Sequence, residues 1–358
     1  MVKVAVDAMG GDNAPVEIIK GAVDALLATT ADDLSIILVG DEGRIKAELD
    51  ALKSDKDRSG FDMSRIEIIH TTEVIETGEP PVNAIRTKKD SSLVVALKQV
   101  KEGNASAFVS SGSTGAVLVG GQVIVGKQKG VKRAPLAPVI PTLKSGTLLI
   151  DCGANVDAKP DYLIQYAHMG SIYMEHVMGV KNPTVGILNI GSEEEKGNAL
   201  VKETYPMLKA EPGINFIGSV EAKDLVEGKA DVVVCDAFAG NVALKMYEAT
   251  GNMLLNTLKE TLTSSTKNKL GAALVYPSLK GKLKKFDSSQ YGGAPLLGLK
   301  GLVVKTHGSA TSKEIKNAIM QCIDFTKTDV TGKVAAQLAL AAEAKAAEAA
   351  QTTATETN

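Results

Sequence analysis

Short β-branched runs alternate with longer helical patterns along almost the whole chain, and few folds accommodate that alternation. The runs are Lys3–Ala8, Ser35–Gly40, Ile66–His70, Ala107–Ser111, Thr147–Cys152, Thr184–Ile190, Asn215–Val220, Asp231–Cys235 and Leu302–Thr306. Helical patterns lie between them, among them Val16–Leu27, Ser91–Val100, Gly115–Val125, Tyr162–Met178 and Ser312–Phe325. A strand that is apolar throughout must be covered on both faces. An intervening helix supplies that cover and carries the next strand in parallel. The expectation is an α/β fold, a three-layer α/β/α sandwich around a largely parallel sheet, with no fixed-period repeat.

Length and composition narrow the function classes. The chain has 358 residues, 44% of them apolar, enough for one large domain or two lobes and too apolar for wholesale disorder. A formal charge of −2 gives no global case for nucleic acid. Cys152, Cys235 and Cys322 are odd in number, far apart and without a C-x-x-C pair. A disulfide framework, zinc site or redox motif is therefore not expected, and Cys152 and Cys235 read as small buried fillers. The N-terminus has no signal-peptide pattern, and the apolar stretch Ala116–Gly126 is too short to span a bilayer. A soluble, cytoplasmic protein is expected.

Glycine is in excess, 34 residues, yet no two glycines are two positions apart. That excludes the G-x-G-x-x-G dinucleotide fingerprint and the kinase glycine loop, and no P-loop motif occurs. In open α/β sheets ligands bind beyond the carboxyl ends of the strands. Six runs there lead into loops of glycine and small polar residues: Asp7–Pro15, Ser110–Ala116, Asp151–Asn155, Asn189–Glu193, Asp236–Asn241 and His307–Thr311. At one sheet edge they would present backbone N–H groups and helix N-termini to an anion such as phosphate. The alternative, that glycines end strands and cap helices for steric reasons alone, stays open for each loop. Thr311 with Glu314 reads as a plain capping box.

Basic groups are the second requirement of an anion site. Arg86, Lys88 and Lys89 follow the turn Gly78–Pro81, Lys196 follows three glutamates, and Lys245 shares a helix face with Asn241. His307, flanked by Gly308, is the histidine best placed for chemistry. His168 and His176 have no carboxylate partner at metal-ligand spacing, so no metal is expected. The serines at 110–113 lack a G-x-S-x-G elbow.

Taken in order, these loops resemble the bacterial phosphate acyltransferase family of PlsX type. The resemblance runs from about residue 2 to 325. It rests on VAVDAMGGDNAP (4–15), TEVIETGEPPVNAIRTKKDSS (72–92), SSGSTGA (110–116), DCGANVDAKPDYLIQYAHMGSIY (151–173), VGILNIGSEEEKGN (185–198), VVVCDAFAGNVALK (232–245) and YGGAPLLGLKGLVVKTHGSA (291–310). Two mild departures are Ser111 and Ser113, where the family reads S-A-G-N-T-G-A, and Ala237, where it reads D-G-F-x-G-N.

The resemblance implies transfer of a long acyl group from acyl carrier protein to inorganic phosphate, giving acyl phosphate for phospholipid synthesis. It implies a homodimer, a fold related to phosphotransacetylase and isopropylmalate dehydrogenase, no cofactor, and peripheral contact with a membrane. Lys196, Asn241, Asp236 and His307 become the candidate catalytic residues. Candidates for phosphate or substrate contact are Asp7, Gly10, Gly11, Asp12, Arg86, Lys88, Ser111, Gly112, Ser113, Thr114, Gly115, Asn155, Lys159, Asn189, Lys245, Gly292, Gly293 and Gly308.

Asn241 to Phe286 breaks the alternation with two helical patterns and no strand. In the first, Leu244, Tyr247, Gly251, Leu254, Leu255, Leu258 and Leu262 form an apolar stripe. Thr261 to Phe286 carries six lysines and no acid among apolar residues, a hairpin suited to the carrier protein or an anionic lipid surface, or else a solvated face of a dimer bundle. The catalytic domain is expected over 1–330 as two lobes, with an Ala/Glu-rich tail at 331–358. Rival readings are a phosphotransacetylase using acyl-coenzyme A, an NAD-dependent decarboxylating dehydrogenase, weakened by the missing metal-binding Asp pattern, and a non-catalytic membrane-docking scaffold.

Overall fold

The computed structural model describes residues 1–341, with the side chain of Lys284 outside that description. Its strands and helices divide between two compact units.

The first unit comprises Met1–Ala137, His168–Lys181 and the chain from Ser289 onward. It opens with β1 (Val2–Asp7), α1 (Val16–Leu27), β2 (Leu34–Gly40), α2 (Glu42–Lys53), β3 (Ile66–His70), α3 (Pro81–Thr87), α4 (Ser92–Lys101), β4 (Ala107–Ser110) and α5 (Thr114–Gly120). A π-helical turn, Gly121–Val125, extends α5.

The second unit, Pro138–Ala167 with Asn182–Ser288, holds β5 (Val139–Pro141), β6 (Gly146–Ile150), the start of α6 (Pro160–His176), β7 (Thr184–Leu188), α7 (Ala199–Ala210), β8 (Asn215–Val220), α8 (Ala222–Glu227), β9 (Val232–Val234), α9 (Ala237–Thr263) and α10 (Thr266–Leu283). The first unit then closes with β10 (Ala294–Leu296), β11 (Leu302–Lys305) and α11 (Ser312–Lys327).

The first unit's sheet has the order β10-β11-β4-β1-β2-β3, parallel except for β10. Its central strands β1, β2 and β4 are almost wholly buried, as continuous apolar runs require. Polar side chains fix where helices start: Asp41 caps α2, Ser91 caps α4 and Ser113 caps α5. The second unit's sheet has the order β5-β6-β9-β7-β8, with only β5 antiparallel. Ile150 of β6 and Ile187 of β7 both register with Val234 of β9, so three buried strands end side by side.

The α/β class holds, but the six loops do not share one sheet edge. Those after β1, β4 and β11 belong to the six-stranded sheet, and those after β6, β7 and β9 to the five-stranded one. Periodicity identifies a buried strand without saying which sheet it joins. The edge strands β5 and β10 escape sequence reading because each is three residues long and contains a proline, a residue that sheets admit chiefly at edges.

The strandless region is α9 followed by α10, and α10 has no buried residue. The expected α9 stripe is covered only in part: Leu244, Tyr247, Leu258 and Leu262 are half-buried, whereas Leu254 and Leu255 are exposed. Residues 330–341, which take in the first part of the tail expected from 331, are helical, and Val330, Val334 and Leu338 are buried. Gln128 donates from Nε2 to the carbonyl of Thr331 at 2.8 Å, fixing the start of that helix. The rest of the Ala/Glu-rich tail, 342–358, lies outside the described residues.

Candidate active site

In the first unit β1 ends on Asp7, a carboxylate with 1% exposure. A buried carboxylate must be satisfied by donors. Asp7 Oδ1 accepts the backbone N–H of Met9 (3.3 Å) and Gly10 (3.1 Å), and Oδ2 accepts the Ser110 hydroxyl at 2.7 Å. Ser110 Oγ in turn accepts the Gly112 N–H at 2.9 Å. Burial pushes the Asp7 carboxyl above its ordinary range, opposed by hydrogen bonds from Ser92, Ser110, Met9 and Gly10. Asp7 therefore ties the β1 loop to the β4 loop, with the Gly10 amide turned to its carboxylate and the Gly112 amide to the Ser110 hydroxyl. Glycine is required here sterically: a Cβ on Gly10 would lie 2.3 Å from Asp7 Oδ2 and 2.9 Å from Gly112 backbone.

The β11 loop joins the same cluster. Asp12 N–H donates to the Gly308 carbonyl at 2.8 Å, and Asn13 Nδ2 donates to the carbonyls of Ser309 and Ala310. The Ser111 and Thr306 hydroxyls share a hydrogen bond at 2.6 Å. Lys305, buried at the end of β11, donates from Nζ to the carbonyls of Ser111 and Thr306. Sequence reading missed Lys305, because a lysine closing a strand looks like an ordinary surface charge.

What stays outward is the start of α5. Ser113 Oγ accepts the Ala116 N–H, leaving the N–H groups of Ser113, Thr114 and Gly115 without a partner among the described residues, next to the exposed Thr114 hydroxyl. Gly115 lets Pro81 pack there, since a Cβ would lie 2.4 Å from Pro81 Cγ. Gly11 has a φ of +103°, so only glycine makes that turn without strain.

Several candidates take structural places. Lys88 Nζ donates to the Val74 carbonyl (2.7 Å) and Glu79 Oε1 (2.6 Å), and the Lys88 bond holds the Glu79 carboxyl low, so it anchors the loop before α3. Arg86 stays exposed in the last turn of α3. Gly293 exchanges hydrogen bonds with the Gln321 side chain, and Gly292 and Gly293 pack against α11 and β11 where no side chain fits. The capping box of α11 does not form. Thr311 makes no side-chain cap, and Glu314 Oε1 instead accepts the His307 N–H at 2.9 Å. His307 itself is exposed, with Nδ1 bonded to Ser309 Oγ at 2.8 Å.

The second unit repeats the device. Asp151, fully buried just past β6, accepts the N–H groups of Gly153 and Ala154 on Oδ1, and both N–H and Nδ2 of Asn155 on Oδ2, at 2.7–3.1 Å. Asn155 is thus an anchor of its loop, and its carbonyl accepts the Ala237 N–H at 3.0 Å. Asn189 is likewise internal, 7% exposed and bonded to Ser219, the Lys196 carbonyl and its own neighbour's N–H. Asp236 caps α9 by accepting the Ala239 N–H at 2.8 Å on Oδ1. Lys245 pairs with Glu248 one turn along α9 at 2.9 Å.

Asn241 lies one turn into α9, exposed, its carboxamide without a partner among the described residues. Lys159, also exposed, makes no ion pair among them. Lys196 is half-exposed and 2.9 Å from Glu193, whose carboxylate raises its pKa. Gly240 lets α9 approach the β6 loop, because a Cβ there would sit 1.9 Å from the Asp151 carbonyl oxygen. Gly240→Ala should accordingly lower stability by about 3 kcal/mol or more, seen as a drop in the urea midpoint.

Neither cysteine beside these loops is a ready nucleophile. Cys152 and Cys235 are buried and burial drives both thiols far above their ordinary pKa, leaving them protonated. The hydroxyls of Ser110, Ser111 and Ser113 are committed to the loop framework. Among the described residues no cluster of His, Cys, Asp or Glu could hold a metal ion.

Comparison with known proteins decides the family. The family model described as "Fatty acid synthesis protein" matches residues 2–333. A phosphate acyltransferase of Clostridium acetobutylicum is 48% identical over 335 residues, 94% of this chain and 98% of its own. The chain belongs to the phosphate acyltransferase family. A second relative, the phosphate acyltransferase of Clostridioides difficile, is 48% identical over 92% of this chain and 94% of its own.

Solved structures agree on the fold. A phosphotransacetylase from Streptococcus pyogenes aligns with TM-score 0.57 at 16% identity, over 91% of this chain and 94% of its own. EutD phosphotransacetylase from Staphylococcus aureus aligns with TM-score 0.56 at 17% identity, over 90% and 93%. The family is one of acyltransferases acting in fatty acid synthesis, and this chain has the fold of the phosphotransacetylases it aligns with.

Proposed function

We propose that this phosphate acyltransferase takes a long acyl chain from the thioester of acyl carrier protein and delivers it to inorganic phosphate. A phosphate oxygen attacks the thioester carbonyl, the new C–O bond forms, the C–S bond breaks, and the thiolate takes up the proton released by phosphate. The observation that carries this reading is the contrast between the two kinds of group in the strand-end loops. Unpaired donors are present among the described residues, while the Ser110, Ser111 and Ser113 hydroxyls are held in the loop framework and the Cys152 and Cys235 thiols are buried. Direct attack by phosphate is the step such a site supports.

The N–H groups of Ser113, Thr114 and Gly115, with the Thr114 hydroxyl, are suited to phosphate or the pantetheine phosphodiester. Within the second unit we read Asn241 as the donor to the developing oxyanion, and Lys196 and Lys159 as the cations that neutralise phosphate or the thiolate. A thiol of ordinary pKa about 8.5 leaves without strong acid assistance. The test mixes protein, phosphate and an acyl thioester and traps acyl phosphate with hydroxylamine. Hydroxamate that requires phosphate, with no acylated protein by mass spectrometry, supports direct attack. Equal turnover with acyl-coenzyme A and acyl carrier protein would move the donor assignment to coenzyme A, and no product from either would favour the scaffold.

The partners proposed are acyl carrier protein, a second copy of the chain and an anionic membrane surface, with action in the cytoplasm. No described helix is long and apolar enough to cross a membrane. The α9–α10 hairpin supports the surface reading: Leu270, Leu274, Val275 and Tyr276 are 52–84% exposed on a helix bearing Lys267, Lys269, Lys280 and Lys282. Neutralising Lys280, Lys282 and Lys285 should weaken binding to anionic vesicles at least tenfold and remove most of its salt dependence. Unchanged cosedimentation in high salt would eliminate electrostatic membrane attachment.

A further inference from the structure

The carboxyl edge of the five-stranded sheet carries large apolar side chains in water beside its polar candidates. Val156 is 58% exposed, Ile190 81%, Phe238 66% and Val242 55%. They are not scattered. Ile150, Val234 and Ile187 form one row across β6, β9 and β7, so the three loops that follow start from adjacent strands about 5 Å apart. Val156 is in the first, Phe238 and Val242 on the α9 turn after the second, and Ile190 in the third. The Ala237-to-Asn155 hydrogen bond joins the first two directly.

Along each loop the apolar residue alternates with a polar candidate: Val156 precedes Lys159, Phe238 precedes Asn241, and Ile190 precedes Lys196. Exposed apolar groups interleaved with cations and an amide match an amphiphile, an anionic or carbonyl head continued by an alkyl chain. Structural need does not account for them, since the adjoining core is already closed by Cys152, Cys235 and Val233.

We propose that Phe238, Ile190 and Val156 form an apolar rim that holds the transferred acyl chain beyond its first few carbons and sets chain-length preference. The inference rests on the acyl-transfer reading above. The carbonyl sits at Asn241, and the alkyl chain leaves it across Phe238, one helical turn earlier on α9, toward Ile190. No covalent step is added.

The test has a binding arm and a turnover arm, both with the full chain. Calorimetry with butyl-, octyl- and dodecylphosphonate should show affinity rising roughly two- to fourfold per methylene while carbons are being covered. Phe238→Ser and Ile190→Ser should each cut the dodecyl-to-butyl affinity ratio at least tenfold, and the same ratio of kcat/KM for dodecanoyl over butyryl pantetheine thioesters. Val226→Ser, an exposed apolar site on α8, should leave both ratios unchanged.

Circular dichroism checks that the variants stay folded, as exposed positions permit. Affinity independent of chain length, or ratios unaltered in both rim variants, overturns the rim. Chain-dependent phosphonate affinity without any acyl phosphate would uphold the rim and defeat the acyl-transfer reading instead.

Discussion

Asp7→Ala should destabilise the first unit by about 3–9 kcal/mol and abolish measurable acyl-phosphate formation. The magnitude follows from what the change leaves behind: the N–H groups of Met9 and Gly10 and the Ser110 hydroxyl lose their acceptor in a buried place, at about 1–3 kcal/mol each. Thermal or urea unfolding measures the stability loss. Asp7→Asn separates charge from hydrogen bonding, because the amide keeps one acceptor oxygen and presents an NH2 group to Ser110.

The pH dependence follows from the direction of the Asp7 shift. Its folded pKa is raised, so its stabilising contribution is complete below the ordinary carboxylate range near 4 and is lost as pH rises through the elevated folded value. The stability of wild type relative to Asp7→Asn should therefore fall as pH rises across that window. A flat difference would mean that the four hydrogen bonds fully offset burial.

The second large effect is catalytic. Asn241→Ala should lower kcat well over tenfold, up to the roughly 10²–10³ seen when one oxyanion donor is removed elsewhere. The fold should be intact, because the exposed carboxamide has no protein partner among the described residues to lose. Lys196→Ala should also cost more than tenfold, expressed more in KM for phosphate if the ammonium binds the anion than if it meets the thiolate. Its Glu193 partner is half-exposed, so the pair itself adds little stability. Wild-type rates in both variants, measured by hydroxamate trapping, would remove these residues from the mechanism.

The paired design of the two units separates what the sequence shows of these loops from what it leaves open. Glycine-rich loops after apolar strands are visible in any sequence, and Gly10, Gly11, Gly115 and Gly240 stand where backbone or side chains come too close for a Cβ or φ is positive. Whether a polar residue in such a loop points at a ligand or back at its own backbone is not visible. Asn155 and Asn189 look identical in type to Asn241, yet the first two are consumed internally and Asn241 is not. Lys88 and Lys305 illustrate the same ambiguity for cations, one anchoring a loop and the other buried between two.

The sequence by itself determined the α/β class, the family, the strands that end in glycine loops and the basic, apolar hairpin. Those properties reside in local periodicity and contiguous motifs, which require no knowledge of distant contacts. Only the tertiary structure decided that the loops belong to two sheets, that each loop cluster is organised by one buried aspartate, and which N–H and amide groups remain for a ligand. Hydrogen-bond partners such as Asp7 with Ser110 or Asn189 with Ser219 are 103 and 30 residues apart. Burial forces every donor near such a carboxylate or amide to be satisfied, and that demand is settled in space rather than along the chain.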